Sequence, residues 1–140
     1  MSDHKTGGAQ PYLFAIYPVL RRAVYEAFDK QDSKITRTQQ IILVTMSDGV
    51  TLSMSELARK IDTSNEQATR AVTQLVSLGY IERFQNEQNH RIVNIRLTDS
   101  ANELLASINA NALQSLADEF GEDAFASAEE AFKQAANLLF

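Results

Sequence analysis

The stretch ITRTQQIILVTMSDGVTLSMSELARKIDTSNEQATRAVTQLVSLGYIERFQNEQNHRIVNIRL, residues 35–97, decides the fold. At three places in it a hydroxyl residue is followed three positions later by Glu or Gln. This spacing is typical of the capping box, in which two side chains satisfy backbone N–H groups that a helix start leaves unpaired. The three pairs are Thr36–Gln39, Ser53–Glu56 and Thr63–Glu66. Together with apolar periodicity they predict three helix starts.

The third predicted helix has one apolar face and a clear end. Its apolar positions recur at helical spacing (Ala68, Ala71, Val72, Leu75, Leu78), and Gly79 follows as a left-handed terminator. The short turn 62–64 separates it from the preceding helix. Two helices joined by such a turn form a helix-turn-helix unit, whose second helix enters the major groove of DNA.

The opposite face of the third helix is polar. Asn, Gln and Arg side chains can pair with purine edges, and Thr can contact the thymine methyl group. A solvated helix face would also be polar, but the position directly after a helix-turn-helix turn favours DNA contact. The predicted contacts on this helix are Ser64, Asn65, Glu66, Gln67, Thr69, Arg70 and Thr73.

After Gly79 the apolar period changes to two. Residues 81–85 and 92–97 alternate around a polar tip, which predicts a two-stranded hairpin. Arg83, His90 and Arg91 would lie near phosphates, and Arg91 is the candidate for the narrow minor groove. The alternative is an exposed hairpin with ordinary surface charges.

These residues resemble the MarR family of dimeric transcriptional regulators. The resemblance is carried by Ile35-Thr36, Gln39, Leu43, Ser53-Met54-Ser55-Glu56-Leu57-Ala58, Thr69-Arg70, Val72, Leu75, Gly79, Arg83, Arg91 and Leu97-Thr98. The chain departs from the family pattern in two places: the wing tip reads Asn89-His90-Arg91 instead of one acidic and two basic residues, and Ala101 stands at a usual glycine.

The resemblance implies a mainly α fold with a small β-hairpin wing, an α+β winged helix-turn-helix. We expect a single MarR-like domain over residues 1–140. Its DNA-binding lobe is predicted at 34–98, between dimerisation helices at 9–33 and 99–140.

The net charge of −5 is unevenly distributed. The segment from Lys34 to Thr98 contains eight basic and six acidic residues, which gives it a net charge of +2. The segment from Asp99 onward has a net charge of −7. Acidic residues therefore lie away from the predicted DNA-binding lobe. A surplus of two predicts modest, salt-sensitive affinity unless two lobes act together.

Apolar stripes on both flanks predict a homodimer. One runs from Leu13 to Phe28 with Pro18 inside it, so that helix either kinks or begins there. A second runs from Leu104 to Phe120 and ends at Gly121, and a third ends on Leu138-Leu139-Phe140. These stripes exceed what one small lobe can cover, and a two-fold pairing would bury them.

Several functional classes find no support in the sequence. The chain has no cysteine and only two histidines, His4 and His90, without metal-ligand spacing. No catalytic constellation or phosphate loop is present, so we expect no enzyme, catalytic residue, metal or cofactor. No apolar run is long enough to span a membrane, and the polar segment 2–8 is not a secretory signal, so we expect a cytoplasmic protein.

The resemblance also implies a small aromatic or anionic effector between the dimer helices and the DNA lobe. Its pocket residues would be Tyr12, Tyr17, Arg21, Tyr25 and Met46, with Arg21 as the cation. Equally, the aromatics could be core residues and Arg21 a surface charge.

The hypothesis is a homodimeric, sequence-specific regulator of transcription that represses from an inverted repeat of double-stranded DNA and is released by such an effector. The alternative is a winged-helix dimer that no longer binds DNA strongly and acts through a protein partner.

Overall fold

The computed structural model describes residues 11–139, in which six helices and three short strands occur. They are α1 (Tyr12–Gln31), α2 (Arg37–Thr45), β1 (Leu52–Ser53), α3 (Met54–Lys60), α4 (Asn65–Ser77), β2 (Ile81–Gln85), β3 (Val93–Leu97), α5 (Asp99–Phe120) and α6 (Glu122–Leu139). The predicted fold, mainly α with a small β wing, is confirmed. The polar segment 2–8, residues 9 and 10 of the predicted first flank, and Phe140 lie outside the described residues.

Two of the three predicted capping boxes are present, and the third prediction is wrong. Thr36 caps α2 and Ser53 caps α3, each with its partner three residues later. The cap of α4 is Ser64, one residue later than the predicted Thr63, and its Oγ accepts from the N–H of Gln67 at 3.1 Å.

The shift has a cause in the preceding helix. Asp62 adopts the left-handed conformation, with φ +57°, and its N–H donates to the carbonyl of Arg59. The Thr63 N–H donates back to the carbonyl of Ala58 at 2.9 Å. This pair of bonds is the Schellman motif, so Thr63 belongs to the end of α3 and Ser64 is left to begin α4.

The predicted glycine stop of α4 is confirmed by the same geometry. Gly79 has φ +86°, and the Tyr80 N–H donates to the carbonyl of Leu75 at 2.9 Å. The left-handed conformation suits glycine because it has no Cβ to clash. The chain therefore leaves α4 sharply and enters β2 within two residues.

The wing is a three-stranded antiparallel sheet in the order β1-β3-β2, where the sequence predicted two strands. β2 pairs with β3 in the register Ile81↔Leu97, Arg83↔Ile95 and Gln85↔Val93. The additional strand, β1, has only two residues and pairs Leu52 with Ile95. Two residues are too few to show periodicity, so sequence analysis could not find it.

One hydrophobic cluster runs through the lobe and both long helices. Its most buried members are Phe28 of α1, Leu43 of α2, Leu57 of α3, Leu75 of α4 and Ile95 of β3. Leu104, Ile108, Ala112 and Leu116 of α5 extend it along α1. Helix α4 and the wing are therefore packed on the same core as α1 and α5, two of the predicted dimerisation helices.

The helices that flank the lobe (α1, α5 and α6) differ in how much of their surface is buried. Pro18 lies inside α1, which begins at Tyr12, so a helix start at Pro18 is ruled out. Gly121 separates α5 from α6, as predicted. None of residues 122–139 of α6 is buried. Within residues 11–139, no helix has both the length and the apolar character needed to cross a membrane.

Candidate nucleic-acid interface

The recognition helix α4 and the wing enclose an open concavity of about 670 Å³. Asn65 and Thr69 line it from α4, Arg83 from β2, and Arg91 from the end of the wing tip. The start of α3 closes the remaining side with Ser55. Four of the predicted DNA-contacting residues, two from α4 and two from the wing, therefore line one cleft.

All ten predicted DNA-contacting residues are exposed, but they do not share one location. Besides the four in the cleft, Glu66, Arg70 and Thr73 lie on the solvent side of α4, and His90 lies at the tip. Ser64 and Gln67 are bonded to each other at the helix start, and the Gln67 side chain also accepts from the Thr63 hydroxyl. These two residues therefore stabilise the start of α4 and are also exposed to solvent.

Arg83 is held against the recognition helix by a hydrogen bond. Its Nη1 donates to Oγ1 of Thr73 at 3.1 Å, and that hydroxyl in turn donates to the carbonyl of Thr69 at 2.8 Å. The bond fixes a cation of the wing beside the polar face of α4. Its remaining guanidinium donors can still meet phosphate, for which the planar fork is suited.

Two asparagine side chains shape the wing tip. Oδ1 of Asn86 accepts from the N–H groups of Gln88 and Asn89 at 2.9 and 3.1 Å. Oδ1 of Asn89 accepts from the N–H of Arg91 at 3.1 Å. Such Asx turns stabilise a tight loop. Asn89, which stands at the family's acidic position, thus holds the backbone of Arg91, and sequence analysis did not foresee this role.

Glu56 brings a negative charge to the rim of the cleft, which sequence analysis also missed. Its carboxylate accepts from the backbone N–H of Ser53 at 2.8 Å as part of the α3 capping box. That hydrogen bond is the main reason that the pKa of Glu56 lies below its usual range. Glu56 lines the same cleft as Arg83 and Arg91.

The predicted effector residues divide into two groups. Tyr17, Arg21 and Tyr25 line a concavity of about 340 Å³ between α1 and α2. Tyr12 is 69% exposed and is not among the residues that line it, and Met46 is fully buried in the core. Met46 lies on the inward face of its helix end, where it packs with the cluster instead of lining a cavity.

Hydrogen bonds and a cation–π contact join α1 to the start of α2 beside this concavity. Arg37 forms two hydrogen bonds with the carboxylate of Asp29, at 2.7 and 2.8 Å, and stacks on the ring of Tyr25 at 4.2 Å. The hydrogen bond from Arg37 holds the pKa of Asp29 below its usual range. Arg21 lies 5.3 Å from the ring centre of Tyr17. Across the described chain, no group of three or more His, Asp or Glu side chains is arranged to hold a metal ion.

Residues 35–93, which contain α2, α3, α4 and most of the wing, match the family model described as the MarR family. Over this segment the chain is similar to the MarR family. The family resemblance seen in the sequence is therefore confirmed, and it covers the cleft and the recognition helix.

Among curated proteins, this chain is similar to the transcriptional regulator AdcR of Streptococcus pneumoniae. The two are 36% identical over 67 residues, which cover 48% of this chain and 45% of AdcR. The HTH-type transcriptional regulator BilQ of Clostridioides difficile is 27% identical over 75 residues, or 54% of this chain and 51% of BilQ. The chain thus aligns with about half the length of these curated relatives.

Solved structures extend the likeness of fold to the flanking helices. RV1404 from Mycobacterium tuberculosis has a TM-score of 0.72 at 18% identity, and the match covers 97% of each chain. Wild-type MarR from E. coli, in its apo form, has a TM-score of 0.66 at 22% identity, with 90% of this chain and 97% of that chain covered. The shared fold therefore reaches beyond the segment that the family model matches.

Proposed function

We propose that this protein is a MarR-family, sequence-specific DNA-binding regulator of transcription. The observation that carries the proposal is the cleft in which Asn65 and Thr69 of α4 meet Arg83 and Arg91 of the wing. Asn and Thr suit base edges, whereas arginines suit phosphates and the minor groove. The proposed contact set keeps Ser64, Glu66, Gln67, Arg70, Thr73 and His90 around this cleft. No enzymatic activity is proposed, and the proposed location is the cytoplasm.

A homodimer is part of the proposal. The N-terminal part of α1 and the face of α6 expose Leu13, Phe14, Phe132, Leu138 and Leu139. Exposed apolar area of this extent favours burial against a second copy, and members of the family act as dimers. The predicted dimerisation segments, 9–33 and 99–140, contain these residues. Two recognition helices related by a two-fold axis would lie about 34 Å apart and require an inverted repeat.

The regulatory direction is proposed as repression with release by a small aromatic or anionic effector. The support is the concavity between α1 and α2, where Arg21 offers a cation beside Tyr17 and Tyr25. A carboxylate on an aromatic ring would fit that combination, since the guanidinium binds carboxylates and the rings offer stacking surfaces.

The second candidate function is a winged-helix dimer that binds DNA weakly and acts through a protein partner. The observation that favours it is charge: the lobe from Lys34 to Thr98 has a surplus of only +2, and Glu56 lies at the cleft. Weak phosphate neutralisation lowers non-specific affinity directly.

The test is selection of duplexes from a randomised pool, followed by fluorescence anisotropy on the selected duplex across a series of salt concentrations. We expect an inverted repeat and a log–log salt slope steeper than about −4, which corresponds to neutralisation of at least four or five phosphates by the dimer. Recovery of no preferred sequence, with a salt slope near zero, would reject the DNA-binding proposal and favour the second candidate.

A further inference from the structure

A buried glutamine connects the start of α2 with the recognition helix. Gln39 is only 2% exposed, although it sits one turn from the exposed helix start. Its Oε1 accepts from the backbone N–H of Thr36 at 2.9 Å, and its Nε2 donates to Oε1 of Gln74 at 2.7 Å. Gln74 is exposed on α4, four residues after Arg70.

The orientation of both amides follows from the backbone N–H of Thr36, which can only donate. The group of Gln39 facing Thr36 must therefore be its oxygen, which leaves its NH2 group facing Gln74. Gln74 must then present its oxygen to Gln39. Its own NH2 group remains for the exposed side of the recognition helix.

We infer that Gln39 is a positioning residue that makes Gln74 a hydrogen-bond donor, and not an acceptor, on the exposed side of α4 that also carries the proposed DNA contact Arg70. A glutamine reads adenine by accepting from N6 and donating to N7 at the same time. Because the Gln74 oxygen is turned toward Gln39 on α2, Gln74 presents only its NH2 group on the exposed side of α4. It donates instead to an acceptor on DNA, either purine N7 and guanine O6 or a phosphate oxygen.

This inference rests on the proposed DNA-binding function and adds a rule of specificity to it. A glutamine on the exposed side of a DNA-binding helix is ordinarily suited to adenine. The bond to Gln39 reverses that expectation without altering any residue that faces DNA.

Gln39→Glu is the decisive variant because it should invert the amide of Gln74. One carboxylate oxygen can still accept from Thr36, as Glu does at this position of an ordinary capping box. The other oxygen must accept from Nε2 of Gln74, which turns the Gln74 oxygen outward. Gln39→Met removes the link, and Gln74→Met removes the proposed contact.

Thr36→Val is the matched control. It removes the hydroxyl that caps α2 but keeps the backbone N–H that orients Gln39. It should cost stability as a lost cap does, while leaving the DNA sequence preference of the wild-type protein unchanged. A general loss of stability is thereby separated from the loss of orientation.

The first measurement is selection from a randomised duplex pool at pH 8, where the carboxylate introduced by Gln39→Glu is ionised. If Gln74 contacts a base, Gln39→Glu should shift the preference at one base pair of each half-site by about tenfold. If Gln74 contacts a phosphate, the same variant should weaken binding to all duplexes several-fold, because an outward oxygen repels phosphate. In both cases Gln74→Met should lose the contact. Wild-type preference and affinity in Gln39→Glu, or in Gln74→Met, would overturn the inference.

The second measurement needs no DNA. It therefore tests the orientation of the two amides even if the protein does not bind DNA. Side-chain amide proton exchange by NMR on the full chain should show the NH2 of Gln39 protected and that of Gln74 exchanging freely. In Gln39→Glu the NH2 of Gln74 should become protected. Protection of the Gln74 NH2 in the wild-type protein would contradict the orientation directly.

Discussion

Glu56 illustrates how one residue can serve the fold and oppose the proposed function. Its carboxylate completes the capping box of α3 by accepting from the N–H of Ser53. The same carboxylate lies in the cleft with Arg83 and Arg91, where it would repel a phosphate backbone. Gln39 fills the corresponding position in the α2 box, which shows that a neutral amide can perform the capping role.

Glu56→Gln should therefore bind DNA more tightly than the wild-type protein while keeping α3 capped. Removal of one negative charge at the cleft should raise affinity by about threefold near 0.1 M salt, where charges within a Debye length of roughly 10 Å still interact. Anisotropy on the selected duplex measures this. Glu103→Gln, an equal charge change at an exposed position of α5, serves as the control and should have a smaller effect. Equal affinities of the two variants would count against the placement of Glu56 beside DNA.

The same pair of variants has a predictable pH dependence. Because the Ser53 N–H lowers the pKa of Glu56 in the folded protein, the ionised carboxylate stabilises the fold above its ordinary pKa. That stabilisation is lost as pH falls through the lower, folded-state value. The urea midpoint of Glu56→Gln should consequently drop less between pH 6 and pH 3 than that of the wild-type protein. Glu103→Gln serves as the reference for removing a carboxylate elsewhere. If the urea midpoints of Glu56→Gln and the wild-type protein dropped equally between pH 6 and pH 3, this hydrogen bond would contribute nothing measurable to stability.

At the scale of elements, the sequence predicted a helix end correctly where the residue at that end is of a type that favours the required conformation. Gly79 marks the end of α4 because its left-handed conformation favours glycine. Asp62 adopts the same conformation without being glycine, so the sequence did not show where α3 ends. With that end unknown, the Thr63–Glu66 spacing predicted a cap at Thr63, and the cap is Ser64 instead. Bonds between distant elements, such as Gln39 to Gln74, leave no periodic pattern and could not be predicted.

The start of α4 can be tested by removing each hydroxyl in turn. Ser64→Ala should destabilise the protein by about 1 kcal/mol, since its Oγ accepts from the N–H of Gln67. Thr63→Ala should cost less than half of that, because the Thr63 hydroxyl bonds to the exposed side chain of Gln67 and not to its backbone. Urea denaturation at pH 7 gives both values. If Thr63→Ala lowered the free energy of unfolding more than Ser64→Ala does, Thr63 would be the cap of α4, as the sequence predicted.

At the scale of the whole molecule, charge and apolar area are separated along the chain. The lobe between Lys34 and Thr98 carries the surplus of positive charge, whereas the segment from Asp99 onward carries −7. That acidic segment also contains the exposed end of α6, with Leu138 at 89% and Leu139 at 75% exposure. The sequence predicted these stripes by their helical spacing. Helical spacing does not distinguish a pocket residue from a core residue, so the predicted pocket residue Met46 proves to be part of the core.

The apolar end of α6 provides the test of assembly. A double substitution, Leu138→Glu with Leu139→Glu, places two charges where the proposed two-fold interface would bury leucines. Since burial of each leucine is worth roughly 2 kcal/mol, and each is present twice in a dimer, dissociation should increase by well over tenfold. The matched control, Gln134→Glu with Asn137→Glu, adds the same charge at exposed polar positions of the helix and should remain dimeric. Sedimentation velocity at micromolar concentration measures both, and footprinting on the selected inverted repeat should show that the leucine variant alone loses protection of the paired half-sites. A leucine variant that sediments as the wild-type protein does would place the interface elsewhere on the molecule.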